Sequence, residues 1–413
     1  MNRIICFIIG LSLFLVACQQ KSDTQPIFKT VKTASENGGE SNLFVSETGE
    51  VYLSWVEYLG DTMDILYFSK LKNEQWSTPK EITRGKDWFV NWADFPSLVT
   101  YKTGGKNLAA YWLEKSANGT YDYDIHIIQS QDSGNNWGNE FIIHRDSIAA
   151  EHGFMTMVPL SNDRIFATWL DGRNTKTDQE DPVENHGHSH GGAMTLRTAE
   201  FDIGDHVFEE AELDNRICDC CQTDAALTAD GAIVVYRDRS EQEIRDIAIV
   251  RKEKGQWTTP HLVHADNWEI AGCPVNGPAV SAIERTVAVA WFTAANAKPT
   301  VKISFSQDSG KTFESPIIVS NHTPLGRVDV ELLSKKEAIV SWLEETDNGA
   351  AIFAKKIARN GETEENILLT ETDPSRQSGF PTMVKMPDQM VYSWTAIDSV
   401  TTMTKIKTGI LTW

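Results

Sequence analysis

Apolar residues fall in short runs along this chain, many of them β-branched or aromatic, separated by polar or Gly- and Pro-containing stretches. This patterning predicts strands throughout. Seven of the runs close on an aromatic flanked by small and acidic residues, at Trp55, Trp112, Trp169, Tyr236, Trp291, Trp342 and Trp394. Successive aromatics are 57, 57, 67, 55, 51 and 52 residues apart, which is an internal repeat. Each repeat holds about four strands; the first reads as Asn42–Ser46, Val51–Glu57, Ile65–Leu71 and Trp76–Ile82. Later repeats begin near Phe95, Phe154, Thr223, Pro278, Val328 and Phe380. A period of this size built from short strands predicts an all-β fold, a β-propeller of four-stranded blades, with seven blades expected and six as the alternative. The last repeat has three obvious strands and Pro26–Thr33 is left over, so this N-terminal strand is expected to close the last blade.

The first residues follow a different pattern. Arg3 precedes an apolar run from Ile4 to Ala17, shorter than the roughly 20 residues that span a bilayer, so residues 1–17 read as an export signal. The stretch Leu15-Val16-Ala17-Cys18 resembles the bacterial lipoprotein box, which implies a lipidated Cys18 followed by a polar tether to residue 25. Residues 26–413 are then one propeller, expected to be soluble, monomeric and held to a membrane through the lipid alone. Gln19 stands where an inner-membrane retention aspartate would sit, so the expected location is the bacterial cell envelope, at the outer membrane.

The formal charge is −20, and removal of Arg3 with the leader takes it to about −21. Nucleic acid is excluded as a partner on that balance.

Two repeats carry Ser130-Gln131-Asp132-Ser133-Gly134-Asn135-Asn136-Trp137 and Ser306-Gln307-Asp308-Ser309-Gly310-Lys311-Thr312-Phe313. These resemble the Asp box of the sialidase superfamily, a structural hairpin in which Asp accepts backbone N–H bonds, Gly takes a positive φ and the aromatic packs between strands. The resemblance implies a sialidase-like propeller over residues 26–413. The Arg-Ile-Pro motif of sialidases is absent and residues 34–60 contain no arginine, so no catalytic residue is carried over.

Propeller geometry puts the loops that lead into first strands on one face with the loops that follow second strands. On that face fall Cys218, Asp219, Cys220 and Cys221 before the fourth repeat and Cys273 and Asn276 before the fifth. His152 leads into the third repeat, and a long loop after its second strand carries His186, His188 and His190. Two readings fit the cysteines. Thiolates with imidazoles suit Cu or Zn, whereas an even number of cysteines outside the cytoplasm suits disulfides, for instance Cys218 or Cys221 with Cys273.

The same face gathers Asp94, Asp171, Arg173, Asp238, Arg239, Arg327 and Arg376 with the exposed indole of Trp92. Arginine forks bind carboxylates, and paired carboxyl groups carry acid–base chemistry, so these residues form a candidate sugar site with Asp171 or Asp238 as the proton-transfer group. Glu57, Glu114 and Glu344 are expected to bridge neighbouring blades. Three functions follow: a mouth that binds a ligand or a soft or borderline metal, a glycosidase or lyase acting on an acidic glycan, or a scaffold for protein partners.

Overall fold

The computed structural model describes residues 25–60, 63–102, 105–161, 163–176 and 192–413. Their strands form seven antiparallel sheets arranged as the blades of a propeller. The innermost strands are Gly38–Val45, Ser97–Thr100, His152–Pro159, Asp224–Thr228, Ala279–Ile283, Pro324–Ser334 and Thr382–Met386. Each pairs with a second strand that ends near the repeat aromatic, as in Val51–Tyr58, Arg164–Asp171 and Glu337–Thr346.

The repeat aromatic is the core of its blade. Trp55, Trp112, Trp169, Trp291, Trp342 and Tyr236 are all fully buried. Truncating a residue of this size costs about 3–5 kcal/mol, and its polar atom needs a partner. The acid two residues on supplies it: the indole N–H groups of Trp55, Trp112, Trp169 and Trp342 donate to Glu57, Glu114, Asp171 and Glu344 at 2.9, 3.2, 2.9 and 2.7 Å. Blade five has Thr293 in that place, and Trp291 donates to Asp266 from the preceding loop at 2.7 Å. Glu344 also accepts the Ser320 hydroxyl of blade five at 2.5 Å and so bridges two blades. Glu57 instead closes on its own blade, accepting the N–H groups of Glu36 and Asn37.

The ring closes through the N-terminus. Ile27–Val31 pairs with Thr404–Thr412 as the outermost strand of blade seven, in the register Ile27 with Thr412 to Val31 with Thr408. Phe28 lies 5.9 and 6.0 Å from the rings of Tyr392 and Trp394. Gly409 admits it, because a Cβ there would stand 2.2 Å from the Phe28 ring.

On the face opposite the mouth, Asp132 accepts the N–H groups of Asn135 and Asn136 at 3.0 and 2.8 Å, and Asp308 accepts that of Thr312 at 2.9 Å. The hydroxyls of Ser130 and Ser306 accept the N–H groups of Gly134 and Gly310, which turn at φ of 73° and 77°. Trp137 meets Phe68 of blade one edge-on, and Phe313 packs against the core between blades four and five.

The innermost strands surround an axial cavity of about 350 Å³. Three aspartates stitch them together. Asp94 accepts the N–H of Phe154 at 2.8 Å, Asp224 that of Val280 at 2.7 Å and Asp329 that of Met383 at 2.7 Å, each reaching the next blade. Burial pushes the carboxyls of Asp94 and Asp224 up to about 7 and that of Asp329 well above the carboxylate range.

Candidate functional site

Cys218 to Cys221 form the loop leading into blade four. The loop is pinned at both ends of Ile217-Cys218, by the Ile217 N–H on the Met194 carbonyl and the Cys218 N–H on the Arg237 carbonyl, each at 3.0 Å. The loop leading into blade five passes across it at Gly277, where any Cβ would lie 2.2 Å from the Gln222 carbonyl oxygen. Buried Arg237 ties the two together. Its guanidinium donates to the carbonyls of Asn276 at 2.9 and 2.7 Å, Arg245 at 2.6 Å and Phe292 at 2.8 Å.

This packing gathers the sulfurs. Cys218 Sγ lies 3.4 Å from Cys221 Sγ and 3.8 Å from Cys220 Sγ, and the four cysteines among the described residues are free thiols. Neither separation is the roughly 2.05 Å of a disulfide. Cys273 joins from the blade five loop, its sulfur clustering with Cys220 and Asp219. Its sulfur neighbour is thus Cys220, where the sequence suggested Cys218 or Cys221. Cys218 and Cys221 are buried, Cys220 is half-buried and Cys273 is exposed, so the cluster runs from the interior to solvent.

Charge is unevenly shared among these thiols. Burial opposes ionisation of Cys218, but its hydrogen bonding with Cys220 and Cys221 and the charges of Arg245 and Arg237 hold it well below the ordinary thiol range. A hydrogen bond from Cys220 likewise lowers Cys273. Cys220 is pushed up by its bonds to Cys218, Cys221 and Cys273, and Cys221 by burial and Cys218. Arg245 is itself buried, 3.3 Å from Cys218 Sγ and 2.8 Å from Glu243. The Asn276 N–H points at Cys221 Sγ at 3.4 Å.

Beside the cluster, Glu151 accepts the Tyr123 hydroxyl at 2.9 Å and its carboxyl is raised to about 8, by burial first and then by Asp94, Asp219 and Cys273. Asp238 is half-buried on the same face, raised to about 6 by burial, and accepts the Arg239 N–H at 2.7 Å.

Several residues read as ligand contacts are spent inside the fold. Asp171 is fully buried between Trp169 and a two-pronged bond from Arg173, which outweighs burial and keeps its carboxyl below the usual range, so it is a poor proton donor. Arg173 is further held by Asp146 and Glu210 at 2.8 Å each. Arg239 pairs with Glu243 at 2.7 Å. Arg327 is buried, donating to Ser378, Gly379 and Ser375, with its guanidinium carbon 5.0 Å from the Trp92 ring centroid. Asn276 accepts the Arg327 N–H at 2.7 Å and donates to the Pro274 and Leu325 carbonyls. Asp94 bonds Phe154 and Tyr123. Arg376 stays exposed, 5.8 Å from Trp92, which stacks on Phe380.

His152 does not join the cysteines. It is buried between blades two and three, stacked on His144 at 3.7 Å and 5°, with Asp124, Asp146 and Asp171 around the pair. His186, His188, His190 and Cys18 lie outside the described residues. Among the described residues no helix is long and apolar enough to cross a membrane. Arg245 and His144 escaped sequence reading; the available signal was a lone charged or imidazole residue beside an apolar run, in Ile244-Arg245-Asp246-Ile247 and Phe141-Ile142-Ile143-His144.

No protein-family model and no curated protein sequence matches the chain. Solved structures match its fold. The polysaccharide lyase Uly1 is 8% identical over 92% of this chain and 91% of its own, with a TM-score of 0.54. A protein of unknown function from Dyadobacter fermentans is 13% identical over 93% and 97%, with a TM-score of 0.51. The NanB sialidase of Streptococcus pneumoniae is 8% identical over 94% and 92%, with a TM-score of 0.47. The chain thus shares its overall fold with Uly1 and the Dyadobacter protein, and the likeness extends to the fold alone.

Proposed function

We propose that this protein is a lipid-anchored, extracytoplasmic propeller whose mouth holds a soft or borderline metal ion, Cu(I) or Zn(II), on thiolates. One observation carries the reading. A tetrahedral thiolate site with bonds of about 2.3 Å has sulfur–sulfur edges of about 3.8 Å, and the sulfurs of Cys221 and Cys220 stand 3.4 and 3.8 Å from that of Cys218, with Cys273 beside Cys220. Arg245 and the Asn276 N–H are the outer groups that would offset thiolate charge and orient the ligands. Exposed Cys273 gives the ion a route to solvent, while Cys218 and Cys221 hold it from within.

Elemental analysis of the mature protein, with thiol titration under denaturing conditions, tests this. About one equivalent of Cu or Zn on titratable thiols is the expected result, lost in Cys218→Ser. Absence of metal together with absence of titratable thiols would make the cluster a disulfide staple and sink the proposal.

A glycan substrate is the second reading, carried by Asp238, whose carboxyl near 6 suits proton transfer at neutral pH. The fold is shared with a lyase solved bound to a glucuronate–sulfated rhamnose chain, at a TM-score of 0.50 and 10% identity. Cleavage of a uronate-containing polysaccharide that Asp238→Asn abolishes supports this reading; an unaltered rate removes Asp238 from it.

A further inference from the structure

Closure of blade seven by the N-terminal strand fixes where the chain enters the propeller. The third strand of that blade, Thr404–Thr412, starts from the mouth face, after the loop that follows Gln389–Ile397, and runs to the opposite face. Ile27–Val31 pairs with it antiparallel, so Ile27 stands beside Thr412 on the side away from the mouth. In blades two and five the turns headed by Ser130 and Ser306 occupy this place. Blade seven has the entry of the N-terminal strand there, with Trp413 next along from Thr412.

Two large apolar side chains are uncovered at this corner, Ile27 at 67% and Trp413 at 38% exposure. The Lys356 ammonium lies 4.1 Å from the centroid of the Trp413 ring. An indole with a lysine beside it suits the headgroup layer of a bilayer, where the ring sits at the boundary and the ammonium stays in water. Leu59, Tyr121 and Val400 are also exposed, but on loops that join second to third strands, at the mouth. Exposure alone therefore does not choose between the two faces.

Tether length chooses. Cys18 precedes Ile27 by nine residues. A flexible segment of that length spans about 17 Å on average and about 30 Å when pulled straight. The nine residues of Thr404–Thr412 separate the two faces by about 30 Å. With the mouth against the bilayer, Ile27 would stand about a blade height above it, and the tether would have to be fully extended. With the opposite face down, the tether is slack.

We propose that the Ile27 and Trp413 corner of blade seven rests on a phospholipid surface, and that the cysteine mouth is turned away from it. This orientation rests on the lipid-anchor part of the function proposed above and is independent of the metal. The formal charge of −20 disfavours anionic headgroups, so the contact is apolar and held by the lipid. The mouth then opens to solvent about 30 Å from the bilayer, where a soluble ligand or ion reaches it without crossing the headgroup layer.

Site-specific photocrosslinking tests the orientation. Benzoylphenylalanine is placed singly at positions 27, 413, 59 and 400 of the full chain, all of them exposed. The lipidated proteins are reconstituted in phosphatidylcholine vesicles, irradiated and searched for phospholipid adducts by mass spectrometry. Adducts are expected at positions 27 and 413, with none above the dark control at positions 59 and 400. Adducts of equal yield at the mouth positions, or none at 27 and 413, overturn the proposal. Two positions on each face keep the result decisive if one variant fails to fold. The intact mass of the wild-type protein separates this from the anchor itself. A Cys18 without lipid removes the anchor and the orientation together, whereas a lipidated chain with no adduct at 27 and 413 removes the orientation alone.

Discussion

Arg237 and Asn276 are joined by two hydrogen bonds, from Nε at 2.9 Å and Nη2 at 2.7 Å to a single carbonyl oxygen. The arginine ends the second strand of blade four, and the asparagine belongs to the loop leading into blade five. Through this link the loop bearing Cys273 is fixed against the loop bearing Cys218. Arg237→Met is therefore expected to strand three buried carbonyls, destabilising the fold by about 3 kcal/mol or more. Urea unfolding and bound metal should fall together, and a variant of wild-type stability would show that the link is dispensable.

Arg245 should tune the thiols without acting as a ligand. It lies 3.3 Å from Cys218 Sγ, and its charge helps ionise that sulfur. Arg245→Gln is expected to weaken metal affinity about 10–100-fold, the usual scale for an outer-shell partner. Competition with a chromophoric chelator measures it. Unchanged affinity would remove Arg245 from the site.

Acid groups around the axis should make stability fall as pH rises. Burial raises Asp94, Asp224 and Glu40 to about 7 in the fold, whereas unfolded carboxyls titrate near 4. Between those values the folded chain holds protons that the unfolded chain has released, so each rise in pH favours unfolding. The urea midpoint is expected to be lower at pH 8 than at pH 5. Asp224→Asn keeps an oxygen for the Val280 N–H and cannot ionise, so it should shrink that drop by about 2 kcal/mol. An undiminished drop in the variant would assign the effect to other groups.

Closure of the ring rests on Phe28 lying over Gly409. A Cβ at residue 409 would meet the Phe28 ring at 2.2 Å, so Gly409→Ala must displace that ring from the closing strand's packing. Overpacking of this kind costs about 1–3 kcal/mol. Amide exchange should then quicken across Thr404–Thr412 and leave the opposite blades unchanged. Equal protection in both proteins would place the stability of blade seven elsewhere.

The blades were legible in the chain because their signal is local. A strand alternates with a period of two, a turn needs Gly or Asp at a given place, and the Trp-x-acid pair at Trp169 and Asp171 satisfies its own hydrogen bond within one strand. Counting those aromatics was enough to expect seven blades, the leftover N-terminal strand and the face that carries Cys218 and Cys273. What each polar side chain does there was not legible. Arg327 and Arg173 looked available to a ligand, yet the fold uses one on the carbonyls of Ser375 and Gly379 and the other on Asp146 and Glu210. His152 pairs with His144 and not with the cysteines, because blade two, and not blade four, packs against it. The sequence by itself determined the repeating frame and the face where chemistry gathers. Only the tertiary structure decided which charges neutralise one another and which sulfurs meet, because such partners are chosen by packing between blades, across some 55 residues of chain.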